Sequence, residues 1–144
     1  KMKIRNDFVT NSSSSSFIIS LKNDSINLKE YINKHNGNEY SGCYKLTNKE
    51  GLFNYLIAHD IINTWTLDQI KSNLNKVNLD ISFETIYLIM LADKYDFKKY
   101  YEAMKLLESG KTLYAINLTY DFMSHFPDLE DEIRTSEIFI EIEE

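Results

Sequence analysis

One cysteine, one proline and four glycines are all that this 144-residue chain holds of three residue types that organise many small folds. The single cysteine, Cys43, excludes a disulfide within the chain and any cysteine-based zinc site. Its place beside Ser41-Gly42 predicts a half-buried residue next to a turn, with no neighbouring base to make it a nucleophile. The glycines Gly37, Gly42, Gly51 and Gly110 are scattered, so neither a phosphate-binding loop nor a dinucleotide fingerprint can be built from them. That counts against the common nucleotide-dependent enzymes. Long apolar runs are also missing. The longest, Ile86–Ala92, is far short of the ~20 residues that a membrane helix needs. Lys1, Lys3 and Arg5 are followed by Asp7 and a serine run rather than an apolar stretch, so no signal peptide is expected. The location expected is the cytoplasm, with no membrane contact.

Histidine is scarce too. His35, His59 and His125 have no helical i, i+4 partner among themselves, and no second ligand pattern lies near them. A Ser–His–Asp set drawn from the serine run, His125 and Asp121 lacks a nucleophile-elbow sequence. No catalytic residue, metal or cofactor is therefore expected.

What is present is an ordinary balance of apolar (43%) and charged (26%) residues, enough for one domain with a real core. The net charge of −6 is unevenly placed. Residues 1–50 carry eight basic and five acidic side chains, whereas residues 101–144 carry three and eleven. This polarity argues for an electrostatic partner and against direct binding to nucleic acid.

The periodicity predicts an α+β fold, with a three- or four-stranded sheet from the two chain ends packed on a helical middle. Residues 1–16 are expected to be a serine-rich arm, and 17–144 a single globular domain. Phe17–Leu21 reads as a buried strand, Glu39–Leu46 as an extended segment and Thr112–Tyr120 as an alternating strand with Tyr114, Ile116 and Leu118 on one face. In Glu137–Glu143, Ile138, Ile140 and Ile142 are expected to face in, with Phe139 outward, as in an edge strand. Helix starts are expected at Asn27 (with Glu30), at Asn48 after the Thr47 capping box, at the Thr66–Gln69 capping box, and at Asp80 or Ser82. Ile86–Ala92 is apolar on all sides, which places its helix at the centre of the core. A break near Asp96 precedes a helical stripe of Phe97, Tyr100, Tyr101, Met104 and Leu107, ended by Gly110.

Three surface features carry possible binding chemistry. Asp128, Glu130, Asp131 and Glu132 cluster at the start of a short helix after Pro127, where carboxylates suit the helix dipole. They lack the glycine and spacing of a calcium loop, and in an unpartnered protein would be a solvated helix end. As a functional feature they would imitate phosphates and dock on a basic groove. Trp65 lies in an Asn-Thr-Trp-Thr break between helices, and Trp is enriched at interface hot spots. Lys98, Lys99, Tyr100 and Tyr101 mix charge with aromatics, but helical spacing sends the tyrosines to the apolar stripe and Lys98, Glu102 and Lys105 to the wet face.

The N-terminal residues Lys3, Arg5, Phe8, Val9, Asn11, Ser12, Ser13, Ser14, Ser15, Ser16 and Phe17 form a pattern of their own. This segment resembles a motif shared by small uncharacterised proteins of Firmicutes, related low-GC bacteria and their phages: Phe-Val-x-Asn, five serines, then Phe. The match covers about an eighth of the chain. It implies a phage or mobile-element setting and brings no established activity with it. Together with the acidic C-terminal third, it leads to the expectation of a non-catalytic protein-binding module. Such a module would inhibit a host nucleic-acid-binding defence enzyme, in the manner of an anti-CRISPR protein. The alternative is that the serine segment is a recognition tag or a substrate for modification.

Overall fold

In the computed structural model, the described residues are 14–21, 25–36, 42–119 and 128–142. They fall into two compact units, one within residues 1–46 and 112–144 and the other spanning Thr47–Lys111. The fold is α+β, with strands from both ends of the chain and helices in its middle.

Among the described residues, the first unit is a four-stranded antiparallel sheet with two helices. Its strands are β1 (Ser14–Ser20), β2 (Cys43–Leu46), β3 (Leu113–Thr119) and β4 (Ile138–Ile142), in the order β2-β3-β1-β4. Strand β1 starts at Ser14, not at Phe17, so part of the supposed serine arm is sheet. The physical reason is position. β1 is central, and its backbone pairs with β3 from Ser14↔Thr119 to Ile19↔Tyr114 and with β4 from Ser16↔Ile142 to Ser20↔Ile138. Backbone pairing, with β3 from Ser14 onward and on both edges from Ser16, does not require apolar side chains. Ser16 is buried, and its hydroxyl donates to Asn117 Oδ1 at 3.3 Å.

Helix α1 (Ile26–His35) begins after Ser25, whose hydroxyl accepts from the Leu28 amide, and not at Asn27. With the short C-terminal helix of this unit (Leu129–Arg134, α6 below), α1 covers one face of the sheet. Leu28, Tyr31, Leu129 and Ile133 pack there on Phe17, Ile19, Cys43, Ile116 and Leu118, with Tyr114 half-buried beside them. Tyr31 adds a hydrogen bond from its hydroxyl to the Asn117 carbonyl at 2.8 Å. Cys43, expected half-buried, is fully buried in this cluster. Phe139 also belongs to it rather than facing outward: its ring lies 5.1 Å from that of Phe17. The strict alternation of β4 suggested one buried face, but the opposite face is buried as well, through Ile18, Leu113, Ala115 and Ile140. As expected, β4 is an edge strand.

The second unit is helical: α2 (Lys49–Ala58), α3 (Thr64–Lys76), α4 (Phe83–Asp93), a 3-10 turn (Tyr95–Phe97) and α5 (Lys98–Glu108). Each of the first three opens on a side-chain cap. Asn48 accepts from the Gly51 amide, Asn63 from those of Trp65 and Thr66, and Ser82 from that of Thr85. Asn63 thus starts α3 three residues before the Thr66 box, because the short amide side chain of asparagine caps a helix better than threonine does. α2, α3 and α5 end alike. Asp60, Asn78 and Gly110 adopt positive φ, and the amides of Ile61, Leu79 and Lys111 reach back to the carbonyls of Leu56, Leu74 and Leu106. A chain of rings runs through this unit, Phe83–Phe53–Tyr87–Phe97–Tyr100, with centroids 5.1 to 5.7 Å apart.

Candidate functional site

Trp65 is 67% exposed on the first turn of α3, not in an interhelical break. Its backbone is held firmly: its amide donates to Asn63 Oδ1 at 2.8 Å, and the Thr66 amide donates to the same oxygen at 3.3 Å. A large aromatic is therefore presented to solvent from a fixed helical turn, so little backbone freedom is lost when a partner covers it. Asn63→Ala will cost about 1 kcal/mol of stability, read as a lower urea midpoint. It will also loosen the presentation of Trp65, read as a change in the fluorescence anisotropy of this sole tryptophan.

The four carboxylates expected as a patch do not share one environment. Asp128 is the exposed N-cap residue of α6, and Asp131 is exposed on its first turns. Glu132 is half-buried and turned inward: its Oε1 accepts from the Leu28 amide at 3.1 Å. It shares with the Ser25 hydroxyl an amide at the start of α1 that has no backbone partner within the helix, and its negative charge suits that helix end. Glu130 lies on α6, and its side chain is outside the described residues.

The largest departure from expectation is α4. Apolar all round, it was placed at the core centre, yet only Ile86, Tyr87 and Met90 of this helix are buried. Leu88 is 54% exposed, Ile81 before the helix is exposed, and Leu91 is half-buried. Next to Leu91, between α4 and α5, lies a mostly apolar groove of about 620 Å³. Lys98, Tyr101, Glu102 and Lys105 form the rest of its lining. Lys98, Glu102 and Lys105 are exposed and Tyr100 is buried, as the helical spacing predicts.

The charged groups of this unit have structural work. Lys49 pairs with Glu84 and with Glu108, the latter at 2.7 Å, and so ties α2 to α4 and α5. The hydrogen bonds that Lys49 donates to Glu108, then Glu84, raise its pKa, and Lys49 holds the Glu108 carboxyl below its usual range. The sign of each shift gives its window. The contribution of Glu108 is present above the ordinary 4.5 and lost as acid protonates it. That of Lys49 is present below 10.5 and lost as base neutralises it.

Among the described residues, burial holds two titratable groups in their protonated form. Burial pushes the Cys43 thiol up to about 12 and also raises the Tyr87 phenol, so both stay protonated near neutral pH. The rings of His35 and His59 pack on Tyr31 and Tyr55, at 4.8 and 4.2 Å, while His125 lies outside the described residues. Among the described residues no three His, Cys, Asp or Glu side chains gather as a metal site would need. Among them, too, no helix is long and apolar enough to cross a membrane.

Of the N-terminal motif, Phe8, Val9, Asn11, Ser12 and Ser13 lie outside the described residues. Ser14, Ser15, Ser16 and Phe17 are strand β1, with Ser16 and Phe17 buried. Spacing alone did not reveal the exposed face of α4. Its signal was the apolar residue at every turn position of a helix that also carries Glu84 and Asp93 at its ends. Compared with known proteins, the chain matches no family model, no curated protein and no solved structure.

Proposed function

We propose that this chain is a non-catalytic protein-binding module, an inhibitor carried by a phage or mobile element that docks on a host nucleic-acid-binding defence enzyme. The observation that carries the reading is Trp65, two-thirds exposed on a capped helical turn. Exposed tryptophans held in place are the side chains that dominate interface energetics. Asp128 and Asp131 supply exposed negative charge suited to a basic nucleic-acid-binding surface, where they would steer encounter and sharpen salt dependence. The setting rests on the N-terminal resemblance. The serine-tag alternative is narrowed by Ser16, whose buried hydroxyl is out of reach of a modifying enzyme in the folded chain.

The test is affinity capture from a low-GC bacterial lysate at low and high salt, using the native chain, Trp65→Ala and the pair Asp128→Asn with Asp131→Asn. The expected result is a stoichiometric nucleic-acid-binding partner, lost with Trp65→Ala and losing its salt sensitivity with the double variant. Capture unaffected by both variants would overturn this mode of docking.

A further inference from the structure

We propose that the outer edge of β4 takes an extended segment of the partner protein as a fifth strand. The inference deepens the reading of a basic protein partner and rests on it for the partner alone; the edge stands apart from Trp65. Among the described residues β4 has one strand neighbour, β1, so its other side presents backbone N–H and C=O groups with no strand to meet them. Such an edge is a template for one more extended chain.

The two edges of the sheet differ. At the far side β2 is only four residues long, carries the exposed Lys45 and is bridged by Asn36. Short length, an edge lysine and a covering residue are devices that keep an edge from pairing. β4 reads Ile-Phe-Ile-Glu-Ile, with neither lysine nor proline. Its alternation sends Phe139 to the face that α1 and α6 cover, and Ile138 to the opposite face with Ile140. Phe139 and Ile138 are both only half-buried. The sheet thus leaves apolar surface at β4 on both of its faces, and one added strand with an apolar middle covers the two together.

Charge decides against a second copy as the occupant. Residues 137–144 hold Glu137, Glu141, Glu143 and Glu144 and no basic residue. Arg134, with its guanidinium over the Phe139 ring, is the counter-charge described beside them. Pairing β4 with the β4 of another copy would set two such glutamate sets against each other, and like charges across a strand pair are destabilising. A nucleic-acid-binding protein brings lysine or arginine instead. Its cations belong at the ends of the segment, because Arg134 already holds the place beside Phe139. One end lies at Glu137, which is exposed and accepts from the Ser20 hydroxyl at 3.4 Å, one of several bonds a carboxylate can accept. The other lies past Ile142, where the sequence continues Glu143-Glu144.

The test uses the full chain and the peptide acetyl-Lys-Thr-Val-Ile-Val-Thr-Lys-amide, followed by fluorescence polarisation and residue-resolved amide hydrogen exchange. The peptide is expected to bind saturably and to slow exchange of the β4 amides that face away from β1 by about tenfold or more, with β2 unchanged. N-methylating the core amides of the peptide should abolish binding. Glutamate in place of its two lysines should weaken binding by about tenfold, equivalent to 1.4 kcal/mol. Ile138→Lys, which puts a lysine on the edge, should weaken it by about as much, and Trp65→Ala should leave it unchanged. A native chain that takes no peptide up to millimolar concentration would overturn the proposal. So would binding that leaves β4 unprotected or survives N-methylation, and so would β4 protection that grows with the concentration of the chain alone. Peptide binding as expected, with no partner captured from lysate, would sink the partner reading and uphold the edge.

Discussion

Replacing Phe17 with alanine is expected to cost about 3–5 kcal/mol, enough to lower the melting temperature by on the order of 10 °C. Phe17 ends the serine motif, and it is 1% exposed on the central strand β1. It packs on Phe139 of β4 and within the cluster that α1 and α6 contribute to the sheet face. Truncation therefore leaves a cavity at the centre of the first unit, with little prospect of collapse around it. Ser16→Ala, next door, removes one 3.3 Å hydrogen bond to Asn117 and should cost only about 1 kcal/mol. Urea unfolding of both variants separates two meanings of the motif. A large loss for Phe17 and a small one for Ser16 mark its end as a folding element. A Phe17→Ala chain of native stability that no longer binds its partner would instead mark it as a recognition segment.

Much of the fold is legible in the sequence because it rests on short-range physics. The strand ends, the helical middle, the Ser82 cap and the stop at Gly110 follow from periodicity and from residues whose side chains do one local job. The misplaced boundaries have a common cause. Thr66 and Asn27 both satisfy a capping pattern, but Asn63 and Ser25 are also good caps, and a propensity rule does not say which candidate will form the turn. The positive φ of Asp60 and Asn78 is similarly hidden, since these residues enter that region only where a helix end demands it. Serines in β1 were misjudged because strand pairing depends on neighbours distant in sequence.

The candidate site was less legible, since exposure is a property of tertiary packing. Composition picked out Trp65, and the structure gives it a surface position. Composition also grouped Asp128, Glu130, Asp131 and Glu132 by adjacency, whereas the fold sends Glu132 to the amide of Leu28 and leaves Asp128 and Asp131 outside. Adjacency along a helix spreads side chains around it, so a run of four acids is seldom one surface. α4 shows the converse. An all-apolar helix reads as a core centre, and only the packed arrangement of α3, α4 and α5 reveals that Leu88 is left outside.

Cys43, the sole cysteine, is expected to be far less reactive than an exposed thiol. Its side chain is fully buried in the sheet face, and burial raises its pKa from 9.0 to about 12. Only the thiolate attacks. Three pKa units lower the thiolate fraction at pH 8 by about a thousandfold relative to an exposed cysteine, before steric exclusion is counted. Alkylation by iodoacetamide, followed by intact mass, should therefore be negligible in the folded chain and complete within minutes in denaturant. The same shift acts on stability. The folded state keeps the proton, so the contribution is fully present below the unfolded value of 9.0 and is lost as pH rises toward 12, by up to about 1.4 kcal/mol per pH unit. Tyr87, whose phenol is also raised by burial, adds to the loss in the same direction. Urea midpoints should thus hold up to about pH 9 and fall steeply above it, with a gentler fall in Cys43→Ala. Rapid labelling of the native chain at pH 8 would mean that β2 opens easily, and a buried edge strand that opens would be the place to look for a partner's entry.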